Sequence, residues 1–170
     1  ASAALLAAVI VFYDANHKHN PWSPLVMGLC RAGVYATAAL VASREPSLAV
    51  AFGVVALISY LIGLTYVAKQ ENLRAVTNLW PLVFLALPFY LARPHAWREA
   101  GLWLVFAAWT VGALRRIVAR DVRTAVTRLI AGIALLDAVF CQGSGHPAFA
   151  LTCVFAFAAT TLLHRVVPGS

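Results

Sequence analysis

The sequence predicts an all-α fold, a multi-pass transmembrane helical bundle, on three observations. Apolar residues make up 62% of the chain and charged ones 11%, whereas a soluble domain covers itself with about a quarter charged residues. The mean hydropathy is +0.83. The apolar residues gather into runs, several of which reach the roughly 20 residues that a helix needs to cross a bilayer. The runs are apolar all round rather than striped, as expected of helices that face both lipid and one another.

Seven apolar segments are expected, at 1–13, 24–42, 47–68, 78–92, 97–118, 123–141 and 147–166. The first is too short to span. It opens Ala1-Ser2-Ala3 with no basic stretch before the apolar run, which a signal peptide would need. It is therefore read as a truncated helix, and residues 1–170 as one transmembrane domain from the C-terminal portion of a longer chain. Small residues inside the segments, Gly33 with Thr37, Gly53 with Leu57, and Ala107, Ala108 and Gly112, let helices approach closely. Pro81 and Pro88 predict a kinked or shallow segment over 78–92. Cys30, Cys141 and Cys153 have no metal-ligand spacing and read as small core residues.

The joints between segments carry the topology signal. If every segment crosses, one side receives Lys18, Lys69, Arg74, Arg115, Arg116, Arg120, Arg123, Arg128 and Arg165, and the other Arg44, Arg93 and Arg98. The richer side is expected to be cytoplasmic, which places 14–23, 69–76 and 115–128 there, with the inner membrane of a bacterium as the expected location. The net charge of +7 is explained by topology and by anionic membrane lipid, so no nucleic-acid partner is expected.

Chemistry-bearing residues concentrate in two of these joints. The stretch Tyr13-Asp14-Ala15-Asn16-His17-Lys18-His19-Asn20 precedes the second segment, and Arg31 lies about two turns into that segment. A guanidinium at this depth is costly unless it faces a cavity or a partner. Lys18 and Arg31 could meet a phosphate there; the alternative is a snorkelling arginine above an ordinary polar loop. The joint Lys69-Gln70-Glu71-Asn72-Leu73-Arg74 offers two cations and one carboxylate. Asp137 is a second intramembrane charge, set nearer the far side than Arg31, and reads as a structural hydrogen bond to a neighbouring helix. Gly143-Ser144-Gly145 lacks the leading glycine of an intramembrane serine protease motif, and no lysine sits inside an apolar segment to form a retinal Schiff base.

Taken together, the Tyr13 helix end, the basic joint, Val26-Met27-Gly28-Leu29-Cys30-Arg31, Thr65-Tyr66-Val67-Ala68-Lys69-Gln70-Glu71 and Leu135-Leu136-Asp137-Ala138 resemble the UbiA prenyltransferase superfamily, most closely its EboC-type branch. The resemblance runs from about residue 10 to residue 165. It implies a helical membrane enzyme that moves a prenyl group from a prenyl diphosphate to an aromatic or other lipophilic acceptor, with Mg²⁺ and the diphosphate held at cytoplasmic aspartate-rich motifs. On that implication Asn16, Lys18, Arg31, Lys69 and Arg74 are the substrate-binding candidates and Glu71 the metal candidate. The chain departs from the family pattern in having Glu71 alone where paired aspartates are usual, and His17 four residues after Tyr13 where lysine is usual. These departures leave three forms open: an inactive homologue, an altered metal site, or an incomplete chain. The competing expectation is a helical membrane transporter or non-catalytic scaffold. An enzyme gathers its polar groups at a cytoplasmic mouth, a transporter near the midplane and at broken helices.

Overall fold

The computed structural model describes residues 7–8, 11, 29–35, 37, 48–69 and 80–166. Most of segments 1–13 and 24–42, the joint 14–23, and residues 70–79 lie outside the described residues. Those described are helical throughout apart from short joints, with residues 29–35 forming one helical stretch. The helices are α1 (Leu48–Lys69), a 3₁₀ segment (Trp80–Leu85), α2 (Leu87–Leu91), α3 (Trp97–Val118), α4 (Val122–Gly143) and α5 (Pro147–Val166). Four of them, α1, α3, α4 and α5, are long and apolar enough to cross a membrane.

The expected rod over 78–92 is broken, for a reason visible in its bonding. Pro88 has no N–H to give the carbonyl four residues back, so the Phe84 carbonyl would be an orphan in an apolar setting. The Ser59 hydroxyl of α1 donates to it at 2.6 Å. Residues 80–85 tighten into 3₁₀ geometry, closed by Ala86 N–H donating to the Val83 carbonyl at 2.9 Å. At a rise of about 2.0 Å per residue in the 3₁₀ part and 1.5 Å in the α part, the whole segment covers roughly 20 Å. That is short of a bilayer crossing.

The core lies between α1, α3 and α4. Tyr60, Phe106, Leu57, Leu61, Leu129, Leu135 and Leu136 are fully buried there. Aromatic rings link the elements: Phe89 of α2 stacks on Phe106 of α3 at 4.8 Å, and Trp109 of α3 meets Phe157 of α5 edge-on at 4.7 Å. Two mid-helix carbonyls of α4 take second hydrogen bonds, from Tyr60 Oη to Leu129 at 2.9 Å and from Trp109 Nε1 to Arg128 at 2.7 Å. Polar tips are thereby satisfied inside the bundle, where an unpaired donor is costly. The outer faces carry apolar side chains such as Val105, Phe149, Phe155 and Leu163, as lipid contact requires.

The end of α3 and the start of α4 show how the sequence writes a tight joint. Arg120 adopts a left-handed φ of 63° and Asp121 N–H donates back to the Arg116 carbonyl at 2.9 Å, closing α3. Asp121 then caps α4, its carboxylate accepting from Thr124 N–H at 3.3 Å, and it lies 3.4 Å from Arg116. The bonds from Thr124, with a smaller contribution from Arg116, hold the exposed Asp121 carboxyl below the usual carboxylate range. Asp121→Ala should therefore destabilise the protein by about 1 kcal/mol, the ordinary worth of such a cap. A carboxylate with a lowered folded pKa contributes stability above its unfolded pKa and loses it as pH falls through the folded one. Thermal melts from pH 7 to pH 3 should show the gap between native and Asp121→Ala protein closing at the acid end. A gap independent of pH would contradict the cap assignment.

Candidate functional site

Polar chemistry in the described bundle falls at three levels. The first is the end formed by the C-terminus of α1 and the α3–α4 joint. α1 and α4 run antiparallel, Gly53 facing Phe140 and Tyr60 bonding to Leu129, so Lys69 stands at the same end as Asp121. Lys69 is exposed and closes α1, where a cation complements the helix dipole. Thr65 and Tyr66 line the last turns, Thr65 Oγ1 donating to the Leu61 carbonyl at 2.6 Å. Arg128, grouped by sequence with the lipid-facing arginines, instead lies over the Trp109 ring at 4.7 Å. Gly112 makes room for it: a Cβ there would meet the Arg128 guanidinium at 2.7 Å.

The second level is inside the bundle. Asp137 lies about 22 Å from the start of α4 and about 9 Å from its end. Its carboxylate accepts a hydrogen bond from the Tyr35 hydroxyl of the helical stretch 29–35, as the structural reading of Asp137 expects. Arg31 lies one turn before Tyr35 on the same stretch. One turn further along α4 from Asp137, the Cys141 side chain lies near Cys153 of α5. None of the three cysteines forms a disulfide, and all are partly buried. Sequence reasoning missed the pairing of Cys141 with Cys153. The four-residue spacing from Asp137 to Cys141 puts both on one face of α4, but no sequence signal joins that face to Cys153.

Of the sequence candidates, Arg31 lies on the stretch whose Tyr35 meets Asp137, whereas Lys69 lies about 13 Å farther along α1 than Tyr60. Asn16, Lys18, Glu71 and Arg74 lie outside the described residues. Among the described residues no group of three His, Cys, Asp or Glu side chains stands together as a metal site.

The third level is the opposite end of the bundle from Lys69. Here the start of α1, the 91–95 joint, the start of α3 and the end of α4 surround one cavity. Its lining combines apolar Phe52, Leu91, Val139 and Phe140 with Arg93, His95 and Glu99. A second cavity, lined by Arg98, Gln142 and Pro147, shares Glu99 and Gly143 with the first.

Fold and site together define a helical membrane protein with ionisable groups inside the apolar bundle and at its ends. No protein-family model, curated protein or solved structure matches this chain.

Proposed function

We propose that this chain is part of a UbiA-like membrane prenyltransferase, transferring a prenyl group from a prenyl diphosphate to a lipophilic acceptor. The observation that carries the reading is the Thr65-Tyr66-Val67-Ala68-Lys69 terminus of α1, which joins the family-like motif to a basic end of an apolar bundle. An apolar bundle suits an isoprenoid tail, and cations at its mouth suit a diphosphate. In this reading Lys69 holds the diphosphate with Lys18 and Arg74, Asn16 adds a hydrogen bond, and Arg31 orients the joint above it. Departure of the diphosphate would be eased by these cations in a site closed to water. Mg²⁺ is implied by the resemblance alone: Glu71 lies outside the described residues, and no step is assigned to the metal.

The test is binding of a labelled prenyl diphosphate to the full-length protein in nanodiscs, with and without Mg²⁺. Lys69→Ala should weaken binding by about tenfold, the effect of one charge-assisted hydrogen bond. An intact fold that binds no prenyl diphosphate under either condition overturns the proposal.

A second reading, a transporter, draws on a different observation. Asp137 with Tyr35 sits well inside the bundle, and the segment 80–91 is broken beside α1. Intramembrane charges and interrupted helices are what a transport pathway uses. Ion or proton flux into liposomes, abolished by Asp137→Asn, would favour it. Unchanged flux in that variant would remove it.

A further inference from the structure

We propose that the end of the bundle opposite Lys69 binds a phospholipid with a primary-amine headgroup. Its phosphate would lie at Arg93, its ammonium between Glu99 and Gln142, and an acyl chain along Phe52 and Phe140. The inference is independent of the prenyl-transfer reading.

The level of this site along the bundle is given by its flanking residues. Tyr90 and Trp97 are exposed at 67% and 85% on either side of the 91–95 joint. Exposed tyrosine and tryptophan at the end of spanning helices mark the headgroup layer of a bilayer. A cavity opening at that level meets lipid headgroups at its mouth and acyl chains along its wall. The lining offers both kinds of contact, apolar Phe52, Leu91, Val139 and Phe140 beside exposed Arg93 and His95 and the Glu99 carboxylate.

The choice of headgroup follows from the charges and from one orphaned atom. Arg93 lies over the Tyr90 ring at 5.6 Å, and its guanidinium is suited to a phosphate. An anion alone, however, would not explain the acceptors beside it. The Glu99 carboxylate accepts from His95 N–H at 2.8 Å and lines both cavities. The Gln142 side chain is oriented by its Nε2, which donates to the Arg98 carbonyl at 2.8 Å. Its Oε1 is left buried and without a partner among the described residues, the arrangement that a donor would relieve. A cation, then a carboxylate and a free amide oxygen, complement a phosphate followed by an ammonium with N–H donors.

The experiment compares retention of defined lipids by the full-length protein through detergent exchange, read by native mass spectrometry. Phosphatidylethanolamine and phosphatidylcholine share phosphate and tails, but only the first has N–H donors. Phosphatidylglycerol tests net charge, and soluble phosphoethanolamine tests the headgroup without its chains. The expected result is a preference of about tenfold for phosphatidylethanolamine over phosphatidylcholine, as one charge-assisted hydrogen bond provides. Phosphoethanolamine alone should compete weakly. Glu99→Gln should abolish the preference, while Arg93→Gln should weaken all three lipids alike, both variants being checked by thermal melting. Equal retention of the ethanolamine and choline lipids by the native protein overturns the proposal without recourse to any variant. Stronger retention of phosphatidylglycerol, or phosphoethanolamine competing as well as the intact lipid, overturns it too.

Discussion

Replacing Gly132 with alanine should destabilise the bundle by about 2 kcal/mol, although alanine is the better helix former. A Cβ on Gly132 would collide with the Tyr60 hydroxyl and lie 3.4 Å from Trp109 Cδ1. Tyr60 cannot swing aside cheaply: its side chain is fully buried, and its hydroxyl donates to the Leu129 carbonyl at 2.9 Å. Overpacking of this kind costs about 1–3 kcal/mol, and a displaced buried hydroxyl adds about 1 kcal/mol or more. Against these stands a helix-propensity gain of about 1 kcal/mol for glycine to alanine, so the net sign is destabilising. Gly53→Ala is the control, since the nearest atoms to its Cβ are those of Phe140 at 3.9 Å, an ordinary contact. Unfolding in mixed micelles should separate the two variants clearly. The decisive arm is Tyr60→Phe, which removes the atom in collision: it should be harmful alone and partly restorative in the Gly132→Ala background. If the two changes simply add, Tyr60 and Gly132 do not meet as described.

The same contact illustrates which parts of the structure the sequence carried. Helix positions along the later chain were legible because length and hydropathy alone specify a spanning helix: the expected 97–118 and 147–166 coincide with α3 and α5. The break over 80–91 was legible in Pro81 and Pro88, though not the compensating bond from Ser59, which lies 25 residues away from Phe84. Helix neighbours were not legible. α1 is apolar on every side, so no stripe tells which face meets α4. Tyr60 over Gly132, Arg128 against Gly112 and Trp109, and Cys141 against Cys153 all arise from tertiary adjacency. Arg31 was singled out by its depth, and Asp137 by its charge in an apolar run. The hydrogen bond linking their helices comes from Tyr35, whose place inside an apolar segment points to no particular partner. The far-end cavity was missed for a related reason, because Arg93, Glu99 and Gln142 come from three separate stretches of sequence.

A thermodynamic cycle on Arg31 and Asp137 should give a coupling of about 1–2 kcal/mol, within the range found for residues that share one network. Asp137→Asn keeps a carbonyl oxygen for the Tyr35 hydroxyl but removes the negative charge. If Arg31 stabilises this carboxylate, Arg31→Gln should be costly in the native background and nearly neutral in the Asp137→Asn background. Tyr35→Phe should cost a further 1–2 kcal/mol or so in the native protein, because it strips a donor from a carboxylate set among apolar helices. That cost should vanish in an Asp137→Leu background, since no acceptor then remains. Cycles in membrane proteins often return smaller couplings, near 0.6 kcal/mol for neutral pairs, and a value in that range would mark Tyr35 and Asp137 as an uncharged structural bond. Charge and hydrogen bond are thus separable with one small set of variants. Only the charged outcome gives the transport reading its ionised group. An Arg31→Gln cost that is identical in both backgrounds would detach Arg31 from Asp137, leaving it free to serve the mouth of a prenyl diphosphate site.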